Sequence, residues 1–226
     1  MRRLGPLYGG AVALVHSTPW RWPGEIADEP RSAGWVVAYL AAAIAHAIGL
    51  PATVAAVVGL GALALASAGL VEHGLVDRID RADGHSPTVK SVLALVFVTF
   101  ARVAALAALP ADRWLGVLVA AAVVGRWAAV FLQALAEPIL DDHASRSLVA
   151  TPAPFWLTGA LGIGTVVLAS LGLGAKAGVA ALAITAAVSF GLGLDAQRRD
   201  HGLSAPIVAC AAAAGELCVL LLATIA

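Results

Sequence analysis

The 226 residues are 61% hydrophobic and 12% charged, and their basic and acidic side chains balance to a net charge of zero. With a mean hydropathy of +0.91, the chain has too few polar side chains for a water-soluble domain of this size. A soluble enzyme is excluded, and a single integral membrane domain over 1–226 is expected, with no nucleic-acid partner.

Residues 1–33 open with basic Met1-Arg2-Arg3, an apolar stretch ending at His16, and Pro19-Trp20-Arg21-Trp22-Pro23. No small-residue cleavage site follows, so a cleaved signal is not expected. Residues 7–16 read as a short re-entrant or interfacial piece, and Trp20 and Trp22 suit the headgroup layer. Seven apolar stretches then follow, over 34–50, 51–71, 91–109, 114–136, 155–173, 177–195 and 204–226. A helix needs about 20 residues to cross a hydrocarbon core of ~30 Å, so each is within range of a span. Gly49-Leu50-Pro51 should turn the first pair into a hairpin, because proline opposes continuation of the helix before it. Abundant Ala and Gly suit close helix approach, and polar stripes are nearly absent. The predicted fold is all-α: a polytopic transmembrane bundle of about seven spans.

Charge orients this bundle. With the N-terminus in the cytoplasm, loops on that side carry Arg2, Arg3, Arg21, Arg31, Arg78, Arg81, Lys90, Arg146, Arg198 and Arg199; the opposite loops carry Arg113 and Lys176. Such a bias obeys the positive-inside rule. It brings the acidic stretch 72–90, the loop 137–154 and the loop 196–203 to one side.

The acidic stretch is the most informative. Glu72, Asp77, Asp80 and Asp83 interrupt two very apolar segments, and the three aspartates recur at i, i+3 and i+6. On a helix that spacing sets three carboxylates along one side, where they repel unless a cation sits among them. Hard oxygen ligands suit Mg²⁺. A solvated loop neutralised by Arg78, Arg81 and Lys90 is the plainer alternative. Within the spans, Arg102, Arg126 and Glu216 reach about mid-bilayer depth at 1.5 Å per residue. A charge there costs at least ~2.5–3.5 kcal/mol on the insertion scale unless it is paired or hydrated. Glu216 is therefore expected to meet Arg102 or Arg126. His46, Cys210 and Cys218 read as packing residues.

No Walker A, GxGxxG, HExxH or CxxC pattern is present, and Gly191-Leu192-Gly193 reads as helix packing. The D-G-x-x-A-R pattern of CDP-alcohol phosphotransferases is also absent, since His85-Ser86-Pro87 follows Asp83-Gly84.

Gly69-Leu70, Gly74-Leu75, Asp77 and Asp80 fall in register with the pattern G-L-H-x-D-G-L-A-D-x-x-D-G, and the stretch resembles that of the cobalamin synthases, the adenosylcobinamide-GDP ribazoletransferases. Gly125-Arg126-Trp127 resembles their arginine-bearing span, and Arg198-Arg199 through Gly215-Glu216-Leu217 resembles their carboxyl end. Departures accompany the likeness. The family's histidine and first aspartate fall on Val71 and His73, and Ala205-Pro206 stands on a G-D pair. An alternative register makes Asp80-Arg81-Ala82-Asp83-Gly84 the D-x-x-D-G match.

The resemblance implies a bacterial inner-membrane transferase joining α-ribazole, or its 5′-phosphate, to adenosylcobinamide-GDP with release of GMP. It implies Mg²⁺ held by Asp77, Asp80 and Asp83, arginine contacts to phosphate from Arg78, Arg81 or Arg126, and His73 or His85 as acceptor of the ribazole hydroxyl proton. Membrane lipid is an expected partner, and a homo-oligomer or other cobalamin-pathway proteins are compatible with it. Two further readings stand beside this one: a non-catalytic relative binding corrinoid or pathway partners, and a small transporter using the midplane charges. No internal repeat supports the transporter.

Overall fold

The structure, a computed structural model, describes residues 34–66, 70–80, 88–136 and 155–226. Eight α-helices carry these residues, with no β-strand among them. They are α1 Gly34–Ala47, α2 Ala52–Ala66, α3 Leu70–Asp80, α4 Val89–Ala107, α5 Trp114–Leu135, α6 Phe155–Leu173, α7 Ala175–Arg199 and α8 Ala205–Ala223. Residues 1–33, with the re-entrant or interfacial piece expected at 7–16, and the loop 137–154 lie outside the described residues.

The α1–α2 hairpin turns where the sequence predicts. Gly49 adopts φ +88°, a left-handed conformation that costs glycine nothing. The N–H groups of Gly49 and Leu50 reach back to the carbonyls of His46 and Ala45 at 3.0 and 3.1 Å, which closes the helix end as a Schellman motif. The two helices then pack closely. A Cβ on Gly59 would lie 2.7 Å from the Ala42 methyl and 2.9 Å from the Ala38 carbonyl.

Five helices, counting α5 with the 3₁₀ turn Ala111–Arg113 that leads into it, are long and apolar enough to cross a membrane: α4 through α8. A 19-residue helix such as α4 is about 28 Å long, close to the ~30 Å core. The first two expected spans are shorter apolar helices of 14 and 15 residues. α2 is described as far as Ala66 and α3 from Leu70, so the junction within the expected span 51–71 lies outside the described residues.

Burial sorts the five. The spanning windows of α5 and α8 are 56% and 61% buried, against 22% for α4 and 28% for α6 and α7. α5 and α8 are therefore the central pair, and α4, α6 and α7 turn apolar faces outward, including Phe97, Phe100, Ile163 and Leu171. An apolar surface of that extent is expected where the surrounding solvent is lipid.

Small residues set the spacing of the central pair. The backbones of α5 and α8 cross where a Cβ on Gly215 would stand 3.1 Å from the Gly125 Cα. In reverse, a Cβ on Gly125 would meet the Glu216 Cγ at 2.7 Å and the Ala212 carbonyl at 2.9 Å. Both neighbours are held, one by backbone and one by an ion pair described below. Gly125→Ala is expected to destabilise the protein by about 1–3 kcal/mol, the usual cost of overpacking. Unfolding titrations in mixed micelles check this, and an unchanged midpoint would contradict the close crossing.

Candidate functional site

The polar residues of the apolar bundle converge around α3, which packs against α4 and α8 and is tied to the end of α7 by ion pairs. The acidic stretch is not a loop over its first part. Residues 70–80 are helical, and Gly74 lets this helix dock against α8. It faces α8 so closely that a Cβ there would overlap the Ala209 methyl. The Cys210 thiol also lies 3.5 Å from the Gly74 carbonyl oxygen. A helix docked by a missing side chain can carry several acids and still be buried along one face.

Glu72 is the first acid on this helix. Its Oε1 lies 3.6 Å from Nη1 of Arg102 on α4, and Nη2 of Arg102 donates to Oε2 of Glu216 on α8 at 2.9 Å. Arg102 and Glu216 are 5% and 1% exposed, so this ion pair sits in the bundle interior. The pairing of Glu216 with Arg102 is one of the two expected from depth, and Glu72 is an addition that sequence reasoning missed. Oε2 of Glu72 and Nε of Arg102 are buried without a hydrogen-bond partner among the described residues. Arg126 stands beside Gly125 on α5, partly buried, and its Nε is likewise without a partner among the described residues.

At the far end of α3, Arg78 extends its planar fork to α7. Nη1 donates to Asp200 at 2.8 Å and Nη2 donates to Asp195. Asp195 also accepts from Nε of Arg199 at 2.7 Å, one helical turn away. This arrangement differs from the expected neutralisation of nearby aspartates by Arg78. Its charge is balanced by two carboxylates more than a hundred residues along the chain, a contact that tertiary packing alone creates. Only the i, i+4 spacing of Asp195 and Arg199 is a local signal in the sequence.

Asp80, the last described residue of α3, organises the start of α4. Its Oδ1 accepts from the Thr88 backbone N–H at 3.2 Å and from the Thr88 hydroxyl at 2.6 Å. Thr88 is itself the N-cap of α4, with φ −91° and ψ 161°, and its hydroxyl oxygen accepts from the Ser91 N–H at 3.4 Å. Burial pushes the Asp80 carboxyl up, but hydrogen bonds from the Thr88 and Ser91 side chains and the Thr88 backbone outweigh it, and the net shift is below the ordinary value of 3.8.

A carboxylate whose folded value is depressed stabilises the fold above its unfolded value, and that contribution disappears as pH falls through the folded value. Asp80→Asn is therefore expected to unfold more easily than the native chain at neutral pH. The difference should close below about pH 3.8, where the native carboxyl also begins to protonate. Paired unfolding titrations across that range measure it. A gap independent of pH would show that the charge does not matter at this cap.

Of the residues expected to hold a metal, Asp77 is exposed and Asp80 is buried, one helical turn apart on α3. Their side chains thus do not share one environment. Oδ1 of Asp80 is engaged by Thr88, whereas Oδ2 is buried and has no hydrogen-bond partner among the described residues. Asp83, His85 and Arg81 lie outside the described residues, and so does the side chain of His73, whose backbone belongs to α3. Among the described residues no three His, Cys, Asp or Glu side chains gather as a metal site. The donor set that remains, an exposed carboxylate and a free buried carboxylate oxygen, is compatible with Mg²⁺, which takes one or two protein carboxylates and completes its shell with water and phosphate.

The remaining readings concern packing. The His46 ring lies 5.5 Å from the Trp114 ring, and both cysteines are free, with Cys210 buried. A Cβ on Gly193 would stand 3.0 Å from the Leu132 methyl, whereas Gly191 has open space around it. Comparison with known protein families, curated proteins and solved structures finds no match.

Proposed function

We propose that the chain is a membrane-bound transferase of cobalamin biosynthesis, joining α-ribazole or its 5′-phosphate to adenosylcobinamide-GDP with release of GMP. The observation that carries this reading is Asp80 Oδ2, a buried carboxylate oxygen left without a partner among the described residues, one turn from the exposed Asp77. Asp77 and Asp80, with Asp83 beyond them, would hold Mg²⁺. When bound, that ion neutralises charge on the diphosphate as GMP departs. His73 or His85 accepts the ribazole hydroxyl proton, and Arg126 serves a phosphate oxygen with its planar fork.

In this reading the bundle lies in a bacterial inner membrane, with about seven spans and a cytoplasmic N-terminus. Cysteines introduced at 85 and 176 should then label from opposite sides of sealed vesicles, and labelling from one side would refute the topology.

A second reading has its own support. Arg78 already gives both ends of its fork to Asp195 and Asp200, so its charge is balanced within the protein. That favours a non-catalytic relative that binds corrinoid or a pathway partner. The deciding assay uses purified protein in lipid with adenosylcobinamide-GDP, α-ribazole 5′-phosphate and Mg²⁺, following GMP release. Turnover supports the transferase. Saturable corrinoid binding without turnover supports the relative, and neither result overturns both.

A further inference from the structure

A groove of about 460 Å³ runs along the lipid-facing side of the bundle where α5, α6 and α7 meet. Phe131, Phe155, Ile163, Val167 and Leu182 contribute apolar wall, with Trp127 beside them. Two lining side chains carry a polar group: the Trp127 indole N–H donates to the Thr158 carbonyl at 3.1 Å, and Thr158 itself is buried at 3% exposed. Nothing in this wall recruits a polar ligand, and its material is that of a hydrocarbon site.

The depth of the groove identifies the occupant. Phe155 begins α6, and Val167 lies twelve residues further in, about 18 Å along the axis. On α5, Phe131 and Trp127 lie four and eight residues before the helix end at Leu135, about 6 and 12 Å deep from the same side. On α7, Leu182 lies seven residues from the opposite end, about 10 Å in from the other boundary. Three helices thus line the groove from one membrane boundary to just past the middle of a core ~30 Å thick. That is the depth of one leaflet.

Glycine builds the space. A Cβ on Gly162 would stand 3.0 Å from Trp127 Nε1, so glycine there lets the indole lie against α6. Gly159, in the wall, has nothing within 4 Å of such a Cβ. The groove is also continuous with the outward apolar face of α6, because Phe155, Ile163 and Val167 are 66%, 71% and 54% exposed.

We propose that this groove is a binding site for one acyl chain of a membrane lipid, drawn from the leaflet at the α5–α6 end of the bundle. An aromatic floor formed by Trp127 and Phe131, stacked at 4.8 Å, gives the chain a rigid contact that mobile bulk lipid lacks. Such a lipid is retained when the surrounding ones exchange.

The test uses the full chain in vesicles of phosphatidylcholine doped with a phosphatidylcholine that carries a diazirine in its acyl chain. Photolabelling should concentrate on peptides containing Trp127 and 155–167, above the level on the equally lipid-exposed Phe97–Phe100 face of α4. Gly159→Leu fills the groove without a steric clash. It should lower retention of the probe through detergent washing about tenfold, equivalent to about 1.4 kcal/mol. Gly164→Leu is the control: its position is also open but does not line the groove, and it should leave retention unchanged. Labelling equal on α4 and α6, or undiminished retention in Gly159→Leu, overturns the proposal. So does a crosslinked dimer in which a second copy covers the groove in place of lipid.

Discussion

Glu216→Ala is expected to destabilise the protein by about 3–5 kcal/mol, the range for removing one partner of a buried ion pair. The cost comes from what remains. Arg102 is 5% exposed, and without Glu216 its only carboxylate in the described structure is Glu72 at 3.6 Å, too long for a strong hydrogen bond. Its guanidinium cannot easily escape to water, because it is enclosed between α4, α3 and α8. Removing the arginine and the acid together should be milder. Arg102→Leu with Glu216→Leu replaces the pair by apolar groups, and such exchanges are often neutral or stabilising. Glu72, with a quarter of its side chain exposed, can then turn towards solvent. Unfolding in mixed micelles measures both variants. A loss below about 1 kcal/mol for Glu216→Ala would mean that the pair is not buried as described.

The same pair is one of several ties on α3. Arg102 links α4 to α3 and α8 at once, and Arg78 and Asp80 tie the other end of α3 to α7 and α4. A short helix with only Gly74 to admit it is thereby held at both ends by charge. If α3 carries a metal, its carboxylates are positioned by groups that never touch substrate.

The parts of this arrangement differ in how readable they were from sequence. The α1–α2 turn was legible because Gly49-Leu50-Pro51 forces a local geometry whatever surrounds it. Glu216 with Arg102 was legible because a membrane interior leaves so few partners for a charge that depth alone narrows the choice. The docking of α3 was not, since it depends on Gly74 lacking a side chain, and hydropathy has no signal for that. Its acids therefore read as a loop through residue 90, although Leu70–Asp80 and Val89–Ala107 are helical. The Thr88–Asp80 contact was hidden for a related reason: Thr88 becomes an N-cap only once the start of α4 is known. The bonds from Arg78 to Asp195 and Asp200 join separate helices, and no local pattern encodes them.

If the chain transfers ribazole, Asp77→Asn should lower the rate about 100-fold, the upper end of the losses seen when groups supporting a metal are removed. The substitution keeps shape and hydrogen bonding and removes the charge that attracts Mg²⁺. Because Asp77 is exposed, stability should hardly change, and the Mg²⁺ concentration needed for half-maximal rate should rise. Asp80→Asn is a different experiment, since Asp80 has two duties. Its Oδ1 caps α4 through Thr88, whereas Oδ2 is the oxygen left for a cation. The asparagine oxygen can still accept from Thr88, so the rate and the Mg²⁺ requirement should suffer more than the cap does. Thr88→Val separates the duties from the other side. It deletes the 2.6 Å hydroxyl contact and should weaken the fold without moving the Mg²⁺ requirement. Asp83→Asn decides between the two registers of the acidic motif: losses equal to those of Asp77→Asn place the metal on the Asp80-x-x-Asp83-Gly84 register, and a mild effect places it on Asp77 and Asp80. Native rates in both Asp77→Asn and Asp80→Asn would remove α3 from the chemistry altogether. The polar end of the bundle would then be scaffold, with Arg78 and Arg102 serving as its ties.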